Sequence, residues 1–425
     1  MEKIFDVIIV GGGPAGSSAA IHLRKAGLEV ALFEKEVFPR PHVGESLLPF
    51  CYELLDELGV LKTVKQTSVR KPGVRFINNN NTKSTTYCFK TILPEPNYLS
   101  FHVLRERFDK QLLDKAKELG ALVYENHKVS RVNLEDPKIA KIIVNDQKFT
   151  AKFLIDATGQ NSFLAKKLIL KTKHENLDRV AFIGHWNCST KTKELKDGLL
   201  QILYLSDSEK KGWISIIPVD EDRVSIGLIC DNKYVKKQKI HFEKDYPENW
   251  KTKFYESEIN AIDLISNLTS KSVMINKLMT VGDYSYKVKN KFGKNYAIIG
   301  DAAGFLDPVF ATGVYLALNT SKNTTSAIIQ LLKKGDEKGK IALTSAYKKH
   351  EGAFKLIEKF ILNFYDPDFI NIAELSTKID KNDEQHSKHE IAFSILHFLM
   401  GGDFFNEYEK YSDFIRSEEH TSELQ

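Results

Sequence analysis

Asp6-Val-Ile-Ile-Val-Gly-Gly-Gly-Pro-Ala-Gly16 is the stretch that decides the fold. A short apolar run ending in three glycines reads as a buried parallel strand entering a tight turn. Pro14 suits the first position of a helix, expected from about Pro14 to Ala26 and closed by Gly27. A second strand, Glu29-Val-Ala-Leu-Phe-Glu34, completes a unit of about 30 residues. The turn carries Gly11-x-Gly13-x-x-Gly16. Glycines at this spacing, with Pro14 and Ala15 between them, let the backbone approach a pyrophosphate at a helix N-terminus, whose dipole favours negative charge. Glu34 lies 18 residues beyond Gly16, where a carboxylate can bind a ribose diol. A dinucleotide-binding domain is the expectation.

Outside that unit, composition excludes more than it assigns. The chain has 425 residues, too many for one small fold, with 42% hydrophobic and 28% charged residues, as in a protein with a large core. Sixty-one basic against 56 acidic residues give +5, too thin and scattered an excess to imply nucleic acid or an anionic membrane as partner. Cys51, Cys88, Cys188 and Cys230 form no C-x-x-C pair and suit a reducing cytoplasm; no metal site is expected. No apolar run is long enough to span a bilayer, and no signal peptide precedes the first strand. The last ten residues, Arg416-Ser-Glu-Glu-His-Thr-Ser-Glu-Leu-Gln425, are codon for codon the translation of a common DNA-sequencing adapter. They are expected to be non-native and to replace the true C-terminus. With one Arg and three Glu the tail carries −2, which leaves +7 on the rest.

Along the chain, a second helix is expected from about Glu45 to Leu58, stopping at Gly59. Residues 73–104 alternate strand-like runs with the polar loop Asn78 to Lys83. A helix from Arg105 to Leu119 has apolar positions at Phe108, Leu112, Leu113 and Ala116. Strands at about 121–126, 140–145 and 152–156 lead into Asp156-Ala-Thr-Gly159, and residues 180–230 read as a large antiparallel sheet. Another apolar strand ends at Gly300-Asp301-Ala-Ala-Gly304, with a helix following from about Ala311 to Leu332. An acid at such a strand end can hold a ribityl hydroxyl. Standing about 290 residues after the glycine fingerprint, Asp301 and Gly304 favour FAD over NAD, and Gly159 marks a third turn of this type, near the adenine half. The expected fold is α/β (α+β). A Rossmann-like FAD-binding domain takes residues 1–70, 102–175 and 282–335, with an inserted antiparallel-sheet substrate domain at 71–101 and 176–281. A helical C-terminal region of amphipathic helices takes 336–415, before the tail at 416–425.

Two longer stretches carry a family resemblance: Phe38-Pro-Arg-Pro-His-Val-Gly-Glu-Ser-Leu-Leu-Pro49 and Gly300-Asp-Ala-Ala-Gly-Phe-Leu-Asp-Pro-Val-Phe-Ala-Thr-Gly-Val314. From residue 4 to about 335 the chain resembles FAD-dependent halogenases, within the superfamily of aromatic hydroxylases and geranylgeranyl reductases. The resemblance implies that Arg40, Gly44, Glu45 and Ser46 line the FAD side of the cleft, and that Arg105, in Val103-Leu-Arg-Glu-Arg-Phe-Asp109, contacts the cofactor. Lys71-Pro-Gly-Val-Arg-Phe76 resembles the Lys-x-Gly-Ile-x-Phe segment holding the halogenases' essential lysine. By that resemblance, FADH2 and O2 form a C4a-hydroperoxide, halide (chloride or bromide) attacks it, and hypohalous acid is released for Lys71 to deliver. A desolvated lysine, whose pKa shifts readily, suits that task. Thr312 and Gly313 would form the halide turn, at a helix N-terminus beside Pro308.

The sequence departs from the family at two places. The halogenase Trp-x-Trp-x-Ile-Pro stands here as Trp213-Ile-Ser-Ile-Ile-Pro218, so Ser215 replaces the second tryptophan. Phe310 occupies the place where indole-specific members carry a glutamate. The Phe form resembles halogenases acting on phenols, pyrroles or carrier-tethered rings. A single dinucleotide fingerprint implies that a separate flavin reductase supplies FADH2. Competing readings are an NAD(P)H-dependent aromatic hydroxylase, a geranylgeranyl-reductase-like ene reductase and a non-enzymatic flavin-binding module. The first would usually show Asp-Gly where this chain has Asp156-Ala, and the second leaves Lys71 without a task.

Overall fold

Strand β1 (Ile4–Val10) runs at the centre of a seven-stranded sheet, between β2 (Val30–Phe33) and the long strand Gln147–Asp156. Strands 122–124, β2, β1, 147–156 and 296–298 are all parallel. Four residues of β1, Val7 to Val10, are buried on both faces, which is why the run does not alternate. Helix α1 (Pro14–Lys25) follows β1 and buries Ala19, Ala20, Ile21 and Leu23. The parallel strands end together, so Gly11, Glu34, Ala157 and Gly300 gather along one carboxyl edge. Open α/β sheets bind ligands at that edge. The structure, a computed structural model, describes residues 3–91, 93, 99–188, 192–206, 210–366, 372–373 and 403–412.

The expected helix from Glu45 begins later, as α2 (Cys51–Leu58), followed by α3 (Leu61–Thr67). Glu45 to Leu47 are instead extended. Leu47 N donates to Phe101 O at 2.9 Å and Val103 N to Glu45 O at 2.8 Å. Tertiary pairing wins here, and Pro49 prevents a helix from reaching back across it. A two-stranded ribbon adjoins this segment: β3 (Val69–Lys71) pairs antiparallel with β6 (Ser100–His102). Between them in sequence, β4 (Gly73–Ile77) and β5 (Ser84–Cys88) join the second, eight-stranded sheet.

That second sheet is not purely antiparallel, as the strand-rich pattern had suggested. Gly73–Ile77 runs parallel to Leu200–Ser206, while its other pairings are antiparallel. The two parallel strands arrive from separate excursions of the chain, so no hairpin forces their direction. One face, with Phe76, Ile202, Trp213 and Ile229, packs into the same core as the nucleotide-binding layer. The other, with Phe182, Ile214, Ile226 and Leu228, is covered by three helices, Asn232–Asp245, Trp250–Asn260 and Asp263–Thr269. Those helices were not legible in the lysine-rich sequence. Their buried apolar anchors are few (Val235, Phe254, Tyr255, Ile259, Ile265, Leu268) and lie among lysines and other polar residues.

Helix α4 (Arg105–Glu118) appears within a residue of its expected span and buries Phe108, Leu112, Leu113 and Ala116. The helix after the halide turn runs Gly313–Lys334. Residues 336–365 form a single helix of 30 residues rather than several short ones. The remainder of the region expected to be helical falls largely outside the described residues, as does the tail at 416–425. Among the described residues no helix is long and apolar enough to cross a membrane.

Candidate functional site

The three fingerprint glycines do different work. A Cβ on Gly16 would meet Gly11 O at 1.9 Å, and one on Gly11, at φ +104°, would meet Ala157 O at 2.3 Å. Those two let the turn pack. Gly13 has an ordinary φ of −69° and is the N-cap of α1; a Cβ there would face open space, with Arg40 Nη2 3.6 Å away. Packing does not require a glycine at position 13, and the surface it leaves bare lies under an arginine. Nε and Nη1 of Arg40 are buried and make no aligned hydrogen bond, although Glu36 and Asp109 lie 3.2 and 3.6 Å away. A glycine cradle beneath a half-satisfied guanidinium at a helix N-terminus fits a pyrophosphate.

Glu34 is 4% exposed and accepts from Gly12 N at 2.7 Å and Glu36 N at 2.9 Å. It braces the glycine turn and keeps lone pairs for a ribose diol. Arg105 is turned inward: it holds Asp109 bidentately at 2.7 and 3.0 Å and donates to Val43 O and Gly44 O. Burial would lower its pKa, but Asp109, Asp301 and Glu45 hold it above the ordinary value. Its visible task is to staple the loop at Gly44, whose φ of +90° needs glycine, onto α4. Asp109, four residues along the helix, was missed in sequence although the Arg-x-x-x-Asp spacing announced it.

On the same carboxyl edge, just past strand 296–298, burial pushes the Asp301 carboxyl up to about 7, against the pull of Arg105. Gly300, at φ +59°, lets Ala15 approach. The absent side chain of Gly304 faces Phe354 instead, so its glycine serves packing of the 336–365 helix. Gly159, at φ +60°, has nothing within 4 Å of an added Cβ. The preceding Asp156 organises that turn by accepting from Thr158 N, Thr158 Oγ1 and Leu164 N.

The turn expected to bind halide hangs on a carboxylate to which the sequence assigns no role. Asp307 accepts from Trp213 Nε1 at 3.1 Å, Tyr284 OH at 3.1 Å, Tyr365 OH at 2.9 Å and Val309 N at 3.2 Å. Pro308 to Phe310 make one 3-10 turn, and Ala311 takes a left-handed φ of +55°. Thr312 then caps the Gly313 helix without a side-chain hydrogen bond. Trp213 is buried, and its indole N–H is bound to Asp307 and Tyr365, so that edge is closed to a substrate. Ser215 lies on the same sheet face, opposite Gly227, where a Cβ would meet its Oγ at 2.7 Å. Phe310 packs edge-on against Phe360 and Phe364, and Phe364 stacks on Tyr204 at 4.5 Å.

Lys71 has no exposed surface. Its Nζ donates to Leu47 O at 2.8 Å and lies 5.2 Å from the centre of the Phe89 ring. Burial pulls its pKa down to about 7, an effect opposed only weakly by the Cys51 thiol. Through the ribbon and residues 45–47, the structure brings Lys71 beside Glu45 and Ser46. Ser46 bridges to His102, and Glu45 Oε1 lies 2.9 Å from His185 Nε2. His102 was missed, and no motif marks it.

A parallel sheet with a bare glycine turn at its carboxyl edge is the frame of a nucleotide-binding enzyme. A family model described as FAD binding domain matches residues 5–353. The chain belongs to the FAD-dependent halogenase family within that group. It is 29% identical over 388 residues to a 1H-pyrrole-2-carbonyl-[peptidyl-carrier protein] chlorinase of Pseudomonas fluorescens, covering 85% of this chain and 82% of that protein. It is 30% identical to flavin-dependent halogenase armH3 of Armillaria mellea, covering 76% of this chain and 67% of the relative. The crystal structure of CmlS, a flavin-dependent halogenase, superposes with a TM-score of 0.76 at 27% identity, over 92% of this chain and 71% of CmlS. The flavin-dependent brominase Bmp2 shares the fold, with a TM-score of 0.79 at 24% identity over the whole of both chains.

Proposed function

We propose that this enzyme halogenates an electron-rich aromatic ring, a phenol or a pyrrole, free or held on a carrier protein. Gly13, Arg40, Glu34 and Asp301 would hold FAD, whose reduced form, with O2 and halide, supplies hypohalous acid. FADH2 would come from a separate reductase, and the enzyme would work in the cytoplasm, whose reducing conditions suit cysteines with no C-x-x-C spacing.

The observation that carries this reading is Lys71: a fully buried amine with no carboxylate partner among the described residues, beside the segment that would line the flavin. With its pKa near 7, both protonation states are accessible. The ammonium can donate a hydrogen bond to hypohalite oxygen. The neutral amine can attack the halogen: an N–halogen bond forms as the O–halogen bond breaks, and the amine proton leaves with hydroxide as water. Thr312 and Gly313 present the open N-terminus of a 22-residue helix as the halide turn. Phe76, Tyr204, Phe310 and Phe364 form a packed aromatic cluster next to that turn, and Phe310 offers no carboxylate for the ammonium of an amino acid, which favours a neutral ring as substrate.

The test combines purified holoenzyme, a flavin reductase, NADH and chloride or bromide with candidate phenols and pyrroles, free and carrier-bound. Mass spectrometry should show the halogen isotope pattern. Hydroxylated product in its place would overturn the reading in favour of a hydroxylase.

A further inference from the structure

Strand β6 lies between the two parts of the proposed site, and no role has been given to its side chains. Along one edge it pairs with β3, in the register Lys71↔Ser100 and Val69↔His102. Along the other it meets residues 45–47. Side chains alternate along a strand, so Ser100 and His102 share the ribbon face of Lys71. Ser100 shows the convergence directly: its Oγ donates to Leu47 O at 2.8 Å, the carbonyl that also accepts from Lys71.

His102 is fully buried, and Nε2 lies 2.9 Å from Gly198 O. A carbonyl can only accept, so Nε2 carries the proton and Nδ1 presents a lone pair. That Nδ1 is buried and has no partner, an arrangement which costs stability. The anchor is rigid. Gly198 sits at φ +84°, and a Cβ on it would meet Arg70 O at 2.0 Å and Pro72 Cδ at 3.4 Å, the residues flanking Lys71. His102 is thus held by the backbone around the lysine, its side chain on the lysine's ribbon face and its Nδ1 unsatisfied. Burial and the nearby Lys71 charge keep the imidazole neutral, down to about 3. Burial keeps the Cys51 thiol neutral too, up to about 12. Among the described residues no carboxylate pairs with the amine.

We propose that His102 is the positioning residue for Lys71, its Nδ1 lone pair accepting one N–H of the lysine head group while Leu47 O accepts another. The third valence of the nitrogen, a proton or a lone pair, is then held in one direction toward the electrophile. The inference rests on Lys71 being the halogen-handling group, and its test has a readout independent of that chemistry.

Holoenzyme labelled at lysine with 13C is titrated by NMR, with the Lys71 ε-methylene resonance assigned by its loss in Lys71→Met. An acceptor stabilises the charged amine. His102→Phe should therefore lower the Lys71 midpoint by about one pH unit or more, and His102→Gln, whose amide can donate to Gly198 O and still accept, should restore most of it. In turnover, His102→Phe should cut the ratio of halogenated product to free hypohalous acid about tenfold, through kcat rather than KM, with rescue by His102→Gln. An unchanged midpoint in His102→Phe, or no rescue by His102→Gln, overturns the proposal. Should His102→Phe not retain FAD, His102→Met replaces it in the same comparison. Absence of halogenated product from the unaltered enzyme would refute the proposed function, while the titration would still judge the lysine–histidine pair.

Discussion

Lys71 is a buried lysine that costs stability, a cost its proposed chemistry would explain. A lysine whose pKa falls from the ordinary lysine range to about 7 on folding disfavours the folded state wherever the unfolded chain binds its proton. That penalty is complete below pH 7 and is relieved as pH rises from 7 toward 10. Lys71→Met should therefore be more stable than the parent by about 3 kcal/mol at neutral pH, with the gap narrowing in thermal denaturation at higher pH. The same variant, and Lys71→Ala, should lose halogenation while flavin reoxidation continues. Lys71→Ala product formed at the parent rate would remove the lysine from the mechanism. The glycines give a second residue-scale contrast. Gly13→Val should fold and lose FAD, seen as missing flavin absorbance in a protein with parent-like circular dichroism. Gly16→Ala should not fold stably, because its Cβ has no space.

At the scale of elements, the turn at residues 307–313, proposed to bind halide, is held by three separate pieces of chain. The sheet contributes Trp213, the strand region before Gly300 contributes Tyr284, and the 336–365 helix contributes Tyr365, all converging on Asp307. Burial raises the Asp307 pKa, while its Tyr365 hydrogen bond and the Arg179 charge resist the rise. Asp307→Asn would put amide protons against existing donors. It should cost about 2–3 kcal/mol of stability and raise the halide KM, measured by denaturant unfolding and by turnover against bromide concentration. Trp213→Phe removes only one donor, leaves Val309 N on the same carboxylate oxygen, and should cost about 1 kcal/mol.

Across the whole molecule, the cofactor should act as a structural member, because its cradle draws on residues from Gly13 to Asp301. FAD at a hundredfold excess over its Kd should raise unfolding free energy by about 2.7 kcal/mol, readable as a concentration-dependent Tm. If residues 416–425 are an adapter translation, their deletion should change neither FAD affinity nor Tm.

The sequence alone determined the nucleotide layer and its cofactor. A strand buried on both faces, glycines whose missing side chains admit backbone or ligand, and acids at strand ends are local constraints, legible wherever the chain must satisfy them. The same locality made α4 readable from its apolar spacing. Residues 45–47 show where it fails: a stretch read as helix pairs with a strand more than fifty residues away, and nothing within it signals that partner. Only the tertiary structure decided that Lys71 is buried without a carboxylate, that His102 stands on its face with a free lone pair, and that Asp307 gathers three distant donors. Burial and hydrogen-bond partnership belong to the space between elements, and segments far apart in sequence create that space only when they pack together.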